Sequence, residues 1–306
     1  MRNYIKMLKK AFSDKKIFFS YLSALGILNF LSDEIYLKIM YKIFMGKSLD
    51  LVHPKTFNEK LQWLKIYNRN SIYTQMVDKF AVKNYVSDLI GEKYIIPTLG
   101  VWNNFDDIDF NSLPDKFVLK CTHDSGGVVI CKNKKEFNLL EAKNKIERSL
   151  KRNFYWYGRE WPYKNVIPRI IAEKYISDGG NLDSELTDYK FFCFNGKVDN
   201  VMVCLDRDSG FTKFYFFTPD WELLRINKRG KAAPANFTLP RPDCLDEMVN
   251  VAKTLSEGLP FARIDLYQSN KKVYFGEITF FPDSGLDSNV LPETDLKWGH
   301  LLKINN

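Results

Sequence analysis

The chain has 306 residues, 45% hydrophobic and 27% charged, which suits a soluble globular protein of about two domains. Basic residues outnumber acidic ones 45 to 37, a net charge of +8 that favours anionic partners such as nucleotides, acidic sugars, a membrane surface or nucleic acid. Three histidines exclude a His-rich metal site. Five cysteines, an odd number without CxxC spacing, argue against a disulfide scaffold or a zinc site and favour a reducing cytoplasm.

In chain order, residues 1 to about 50 read as helical, with few Pro or Gly. Lysines 6, 9, 10, 15 and 16 precede an apolar stretch from Ile17 to Leu31, interrupted by Ser20, Tyr21, Ser23 and Asn29. That stretch is shorter than the roughly 20 residues of a spanning helix. It reads as helices packed on the body, or else as a basic segment lying on a membrane surface. His53-Pro54-Lys55 breaks the pattern, and Thr56 with Glu59 forms a capping box for a helix carrying Leu61, Trp63, Leu64 and Ile66. A further helix is predicted over Tyr73–Ile90, ended by Gly91, and a short strand and turn over Tyr94–Leu99 and Val101.

From Phe117 the texture changes. Strands are predicted near 117–121, 128–132, 170–176, 189–194, 198–205, 213–217, 261–267 and 273–279, and helices at 136–151 and 244–257. Strands that run in adjacent pairs favour α+β with antiparallel sheets over a doubly wound parallel sheet.

The last two strands carry the strongest chemical signal. Folded as a hairpin centred near Lys271, they place Asp265 opposite Glu277, and Arg263 and Thr279 on the same face. Directly opposed Cβ atoms lie roughly 5 Å apart. Two carboxylates that close call for a cation, and Mg²⁺ takes carboxylate and phosphate oxygens together. Paired charges on a solvated face are the other reading.

Phe117–Cys121 is an apolar strand with one lysine, Lys120, which must be paired or neutralised if buried. The turn that follows holds Ser125, Gly126 and Gly127. Glycines let backbone N–H groups approach phosphate oxygens, but Ser-Gly-Gly is also an ordinary hairpin turn. Glu173, Lys174 and Tyr175 end another strand, whose edge could meet an adenine. Asp188 could accept from a ribose and Lys190 could reach a phosphate. Tyr155, Trp156, Tyr157, Arg159, Trp161 and Tyr163 form an aromatic–basic cluster that could stack on a sugar or pack inward.

Taken jointly, FVLKCTHDSGG, YGREWPYKN, RIIAEKYI, DYKFFCFNGKV, FARIDLY and FGEITFFPDSG resemble the ATP-grasp superfamily, in its TupA-like group of bacterial polysaccharide (teichuronopeptide) biosynthesis proteins. The resemblance runs from about Lys55 to Leu302. It implies an α+β ATP-grasp fold, with two subdomains of antiparallel sheet sandwiching the nucleotide behind a helical N-terminal region. The corresponding division is a helical region at 1–54, a small α/β domain at 55–115, a small ATP-grasp subdomain at 116–185 and a large one at 186–306.

The resemblance also implies roles. Lys120, and with it Lys79, would contact ATP phosphates. Ser125, Gly126 and Gly127 would lie over them. Glu173, Lys174 and Tyr175 would form the adenine hinge, with Asp188 near the ribose. Arg263 and Lys190 would be catalytic, and Asp265, Glu277 and Thr279 would hold Mg²⁺. Members usually have Asn at the position of Thr279, a departure that weakens the metal set; Asp283 or Asp287 could compensate. The implied activity joins a carboxylate to an amine through an acyl phosphate. Its partners would be a uronic acid of a surface glycan and an amine donor. Read from the residues, the dispersed charge without a reader motif argues against nucleic acid, and the basic N-terminus offers peripheral membrane contact. Glycosyltransferase, sugar kinase and non-enzymatic binding module are the rival readings.

Overall fold

A computed structural model of the protein describes residues 14–177, 186–205 and 212–304. Lys6, Lys9 and Lys10 fall outside them. Two helices, α1 (Lys15–Ala24) and α2 (Asp33–Met45), open the described chain. Asp14 caps α1 and Ser32 caps α2 through their side-chain oxygens, and Gly46 ends α2 in the left-handed conformation. The predicted capping box is present: Thr56 and Glu59 satisfy each other's backbone groups at the start of α3 (Phe57–Tyr67).

The single helix predicted over Tyr73–Ile90 is two: α4 (Ile72–Val77) and α5 (Ala81–Ile90). Asp78 is extended at the break, and its carboxylate accepts from the Phe80 and Ala81 N–H groups at 2.9 and 3.2 Å. A short polar side chain that bonds its own backbone competes with helix continuation.

A four-stranded antiparallel sheet has the order β1-β4-β2-β3, from β1 (Thr98–Trp102), β2 (Phe117–Cys121), β3 (Val128–Cys131) and β4 (Ile170–Lys174). Strand β1 begins later than predicted, because Glu92–Tyr94 form a turn of 3₁₀ helix before it. Helix α6 (Leu139–Leu150) covers one face of the sheet through Ala142 and Ile146, which join Phe117, Leu119 and Ala172 in a core of their own.

A six-stranded antiparallel sheet has the order β10-β9-β5-β6-β7-β8. Its strands are β5 (Asp188–Phe194), β6 (Lys197–Leu205), β7 (Lys213–Phe217), β8 (Leu223–Leu224), β9 (Phe261–Ser269) and β10 (Lys272–Thr279). Its apolar face packs on α9 (Leu245–Leu255), which buries Leu245, Met248, Val251, Ala252 and Leu255. Two shorter helices, α7 (Tyr155–Gly158) and α8 (Lys228–Ala232), lie between the strands in sequence, and α10 (Pro292–Leu301) packs on α3. With one face of each sheet spent on a core, chemistry is left to the other.

Candidate active site on the polar face of the larger sheet

The larger sheet's other face gathers six polar residues from three neighbouring strands. Asp265 stands opposite Glu277 on β10 and opposite Lys190 on β5, and Arg263 stands opposite Thr279. Asp188 lies two residues from Lys190, so the pleat returns it to the same face. Lys190 binds both Asp188, at 2.6 Å, and Asp265.

The predicted opposition of Asp265 and Glu277 holds, but the hairpin reaches it through a bulge. At the turn, Asn270 and Lys271 both have positive φ, the form suited to a two-residue hairpin. The register there pairs Ser269 with Lys272 and Leu266 with Phe275, then shifts by one residue at Gly276. A Cβ at Gly276 would meet the Tyr267 ring at 2.8 Å and the Asp265 carbonyl oxygen at 2.9 Å.

The cation between the two carboxylates is Arg263. Its Nε and Nη2 donate to Asp265 Oδ1 and Oδ2 at 2.7 and 2.8 Å, and Nη2 also donates to Glu277 Oε1 and Thr279 Oγ1, each at 3.1 Å. The Asp265 side chain is 1% exposed and that of Glu277 39%. Burial pushes the Asp265 carboxyl up to about 6, against the pull of Arg263 and Lys190. Burial acts the same way on Glu277, but Lys79, Arg263 and Lys190 outweigh it and hold Glu277 down at about 2. Glu277 is therefore an accessible carboxylate, ionised at neutral pH, which fits Mg²⁺. Asp265 fits less well, since both its oxygens already accept from cations and one of those contacts would have to yield. Among the described residues no group of three or more His, Cys, Asp or Glu is placed to hold a metal.

Lys79 links this face to the Gly-rich turn. Its Nζ donates to the Asp124 carbonyl oxygen, and its own N–H donates to the Thr122 carbonyl at 3.0 Å. Gly126 is exposed with open space where a Cβ would stand, and Ser125 is exposed. Gly127 is buried, and a Cβ on it would meet Ser149 Oγ at 2.5 Å and Cys121 Sγ at 2.7 Å. Its glycine serves packing, while Gly126 leaves room over the turn.

On the smaller sheet Lys120 and Glu173 are diagonal neighbours, since Val118 stands opposite Glu173. Lys120 binds Glu173 Oε2 at 2.6 Å, and Lys83 on α5 binds Oε1 at 2.5 Å. Burial would raise the Glu173 carboxyl, but Lys120 and Lys83 together bring it below the usual range. The Glu173 carboxylate thus fixes two lysines, and any hinge contact falls to the backbone after it. Lys174 and Tyr175 line a cavity of about 780 Å³ with Ile176, Ser177 and the tip of the β9–β10 hairpin. A smaller cavity of about 380 Å³ adjoins the charged face itself, lined by Lys190, Arg263, Asn227, Asp283 and Asp287 among others. The charged residues of the sheet face border the smaller one.

Three contributors were missed from sequence. Lys83 is a helix lysine whose only signal is its place on the buried side of α5. Lys65 lies four residues after Leu61 on the core face of α3; its fully buried Nζ donates to Gln62 Oε1, Gly158 O, Ser284 O and Ser284 Oγ at 2.8–3.1 Å. Glu160 is buried near it and near Arg263; burial raises its carboxyl, opposed by Lys65. The residues after β10 are held by this lysine in a turn where Asp283 and Ser284 both have positive φ. Such backbone strain in non-glycine residues persists only when surroundings enforce it.

The aromatic–basic cluster packs inward at its arginine. Arg159 is 1% exposed, lies over the Tyr36 and Trp156 rings at 4.4 and 4.5 Å, and donates to Leu28 O at 3.0 Å. It fastens the N-terminal helices and does not face a sugar.

A sequence profile described as TupA-like ATPgrasp matches residues 59–303. No curated protein matches the chain. Among solved structures it is similar to D-alanine–D-alanine ligase from Bacillus anthracis complexed with ATP, at 14% identity and TM-score 0.42, over 74% of this chain and 60% of that one. It is similar also to the Helicobacter pylori D-alanine–D-alanine ligase, at 19% identity and TM-score 0.42, over 81% of this chain and 69% of that one. A third is the ATP-grasp ligase PsnB with minimal precursor, Mg and ADP, at 9% identity and TM-score 0.38, over 73% and 57%. These likenesses are too distant to carry a statement about substrate.

Proposed function

Because the chain belongs to the TupA-like ATP-grasp family, we propose that it is a cytoplasmic, ATP-dependent carboxylate–amine ligase acting on a uronic acid of a surface polysaccharide. One observation carries the reading: Lys190, Arg263, Asp265 and Glu277 meet on one sheet face, and Lys79, bonded to the Asp124 carbonyl of the Gly-rich turn, adds its charge near Glu277. The small and large subdomains would hold ATP between them, with Lys120 and Lys79 on its phosphates and Asp188 toward the ribose. Lys174 and Tyr175 would border the adenine, and Ser125, Gly126 and Gly127 would cover the phosphates. Mg²⁺, held by Glu277 with Asp265 and Thr279, would screen charge on the triphosphate.

Two anions must approach for the first bond to form. A carboxylate oxygen of the sugar attacks the terminal phosphorus, ADP leaves, and an acyl phosphate results. Arg263 and Lys190 are aimed at the charge that develops there, where preorganised cations contribute most. The amine nitrogen then attacks the acyl carbon; phosphate leaves and the amine proton is released, giving an amide. The 380 Å³ cavity beside Lys190 and Arg263 supports an acceptor at that point. Its Asp283 and Asp287 carboxylates suit an approaching ammonium.

The test is thermal stabilisation by Mg·ATP and by sugar nucleotides, in wild type and Glu277→Gln. A ligand at 100 times its Kd adds about 2.7 kcal/mol of stability. A rise with Mg·ATP that shrinks in the variant, and ADP release that needs both a uronic acid and an amine, are the expected results. A rise only with a UDP- or GDP-sugar would replace the ligase with a glycosyltransferase. A phosphorylated sugar formed without an amine would make it a kinase.

A further inference from the structure

Helices α1 and α2 carry more apolar surface than their packing uses. Their inner faces are filled by Phe19, Tyr36, Leu37, Met40 and Tyr41, all buried. On the opposite side of α1, Ile17, Tyr21 and Leu25 recur at four-residue spacing and are 39, 37 and 56% exposed. The turn between the helices adds Ile27 and Phe30, the latter 81% exposed, and α2 adds Ile35 and Ile39. Residues three and four apart share a helix face, so these are continuous stripes and not scattered positions.

The same helices are net positive: residues 14–48 hold five lysines against three Asp or Glu. The nearby acids are already engaged: Asp14 caps α1, Asp33 binds Arg69 at 2.7 Å, and Glu34 binds Lys38 at 2.6 Å. The patch lies outside the stretch matched by the family profile.

We propose that the outer face of α1, α2 and their connecting turn docks on an anionic lipid bilayer. Leu25, Ile27 and Phe30 would enter the headgroup–acyl boundary while lysines meet lipid phosphates. No helix among the described residues is long and apolar enough to cross a membrane, so the contact is peripheral. Charge selects lipid over a second copy of the chain: a symmetric dimer through this face would set two net-positive surfaces against each other, whereas anionic headgroups neutralise one. The inference stands on these helices alone and needs no particular nucleotide chemistry.

The full-length protein would be sedimented with phosphatidylcholine vesicles, with and without about 30 mol% phosphatidylglycerol, at low and high salt. Binding is expected to be at least about tenfold stronger on the anionic vesicles and to weaken with salt. Leu25→Ser with Phe30→Ser should lower it by about tenfold or more with an unchanged melting temperature, because both side chains are already in water. Absence of binding to anionic vesicles would overturn the proposal, as would equal binding by the variant. So would concentration-dependent dimerisation, without lipid binding, that the same variant abolishes.

Discussion

Glu277 faces Asp265 only because Gly276 is skipped. The turn at Asn270-Lys271 sets a register that, continued unchanged, would bring Gly276 opposite Asp265 and turn Glu277 toward the apolar side of the sheet. A one-residue slip exchanges the two faces of a strand, and a bulge is the local device that makes one.

Gly276→Ala should therefore damage the site more than the fold. The added methyl meets backbone as well as the Tyr267 ring, costing about 1–3 kcal/mol. Denaturant unfolding measures that cost. The Mg·ATP-induced rise in melting temperature should disappear even where the variant remains folded. Retention of the full rise would mean that the bulge does not set the ligand geometry.

Thr279→Asn tests the departure from the family pattern. The Thr279 hydroxyl accepts from Arg263, and an amide oxygen there offers Mg²⁺ a better neutral ligand. The half-saturating Mg²⁺ concentration for ATP turnover is expected to fall several-fold. An unchanged or higher value would show that this position does not reach the metal.

Glu173→Gln should leave Lys83 and Lys120 close together without a counter-charge. Breaking a buried pair costs about 3–5 kcal/mol. The wild-type carboxyl titrates below its ordinary value of 4.5, so its contribution is present above that pH and is lost as pH falls through the lower folded-state value. Stability against pH in the acid range should lose that component in the variant. ATP affinity should fall too, since Lys120 is no longer positioned.

Lys65→Met tests the opposite slope. Burial lowers the Lys65 ammonium from 10.5 to about 8, partly opposed by Glu160. Between those values the unfolded chain holds the extra proton, so wild-type stability rises with pH from about 8 to about 10.5. The variant should lack that rise. At neutral pH it should be less stable by about 2–4 kcal/mol, because buried carbonyls lose their donor.

Sequence pattern made the hairpin legible because polar residues two apart on both strands specify one face, whatever the turn does. It could not show the bulge: Gly276 looks like any strand glycine until the Tyr267 ring is seen beside it. Lys65 and Lys83 were illegible for a related reason, since lysines are common on helices and only tertiary packing closes over these two. The cluster around Arg159 was ambiguous in principle, because aromatic rings beside an arginine serve a sugar and a core equally well. The break at Asp78 was readable, as an aspartate ahead of an apolar helix is an ordinary start signal.

Lys65 also orders events in time. Its ammonium joins residues 93 and 219 positions away along the chain. While the protein is being synthesised, that charge has no complete set of partners until Ser284 has left the ribosome. Closing loops of such length is slow relative to forming local contacts. The turn beside Arg263 therefore cannot take its final form before residue 284 has been made.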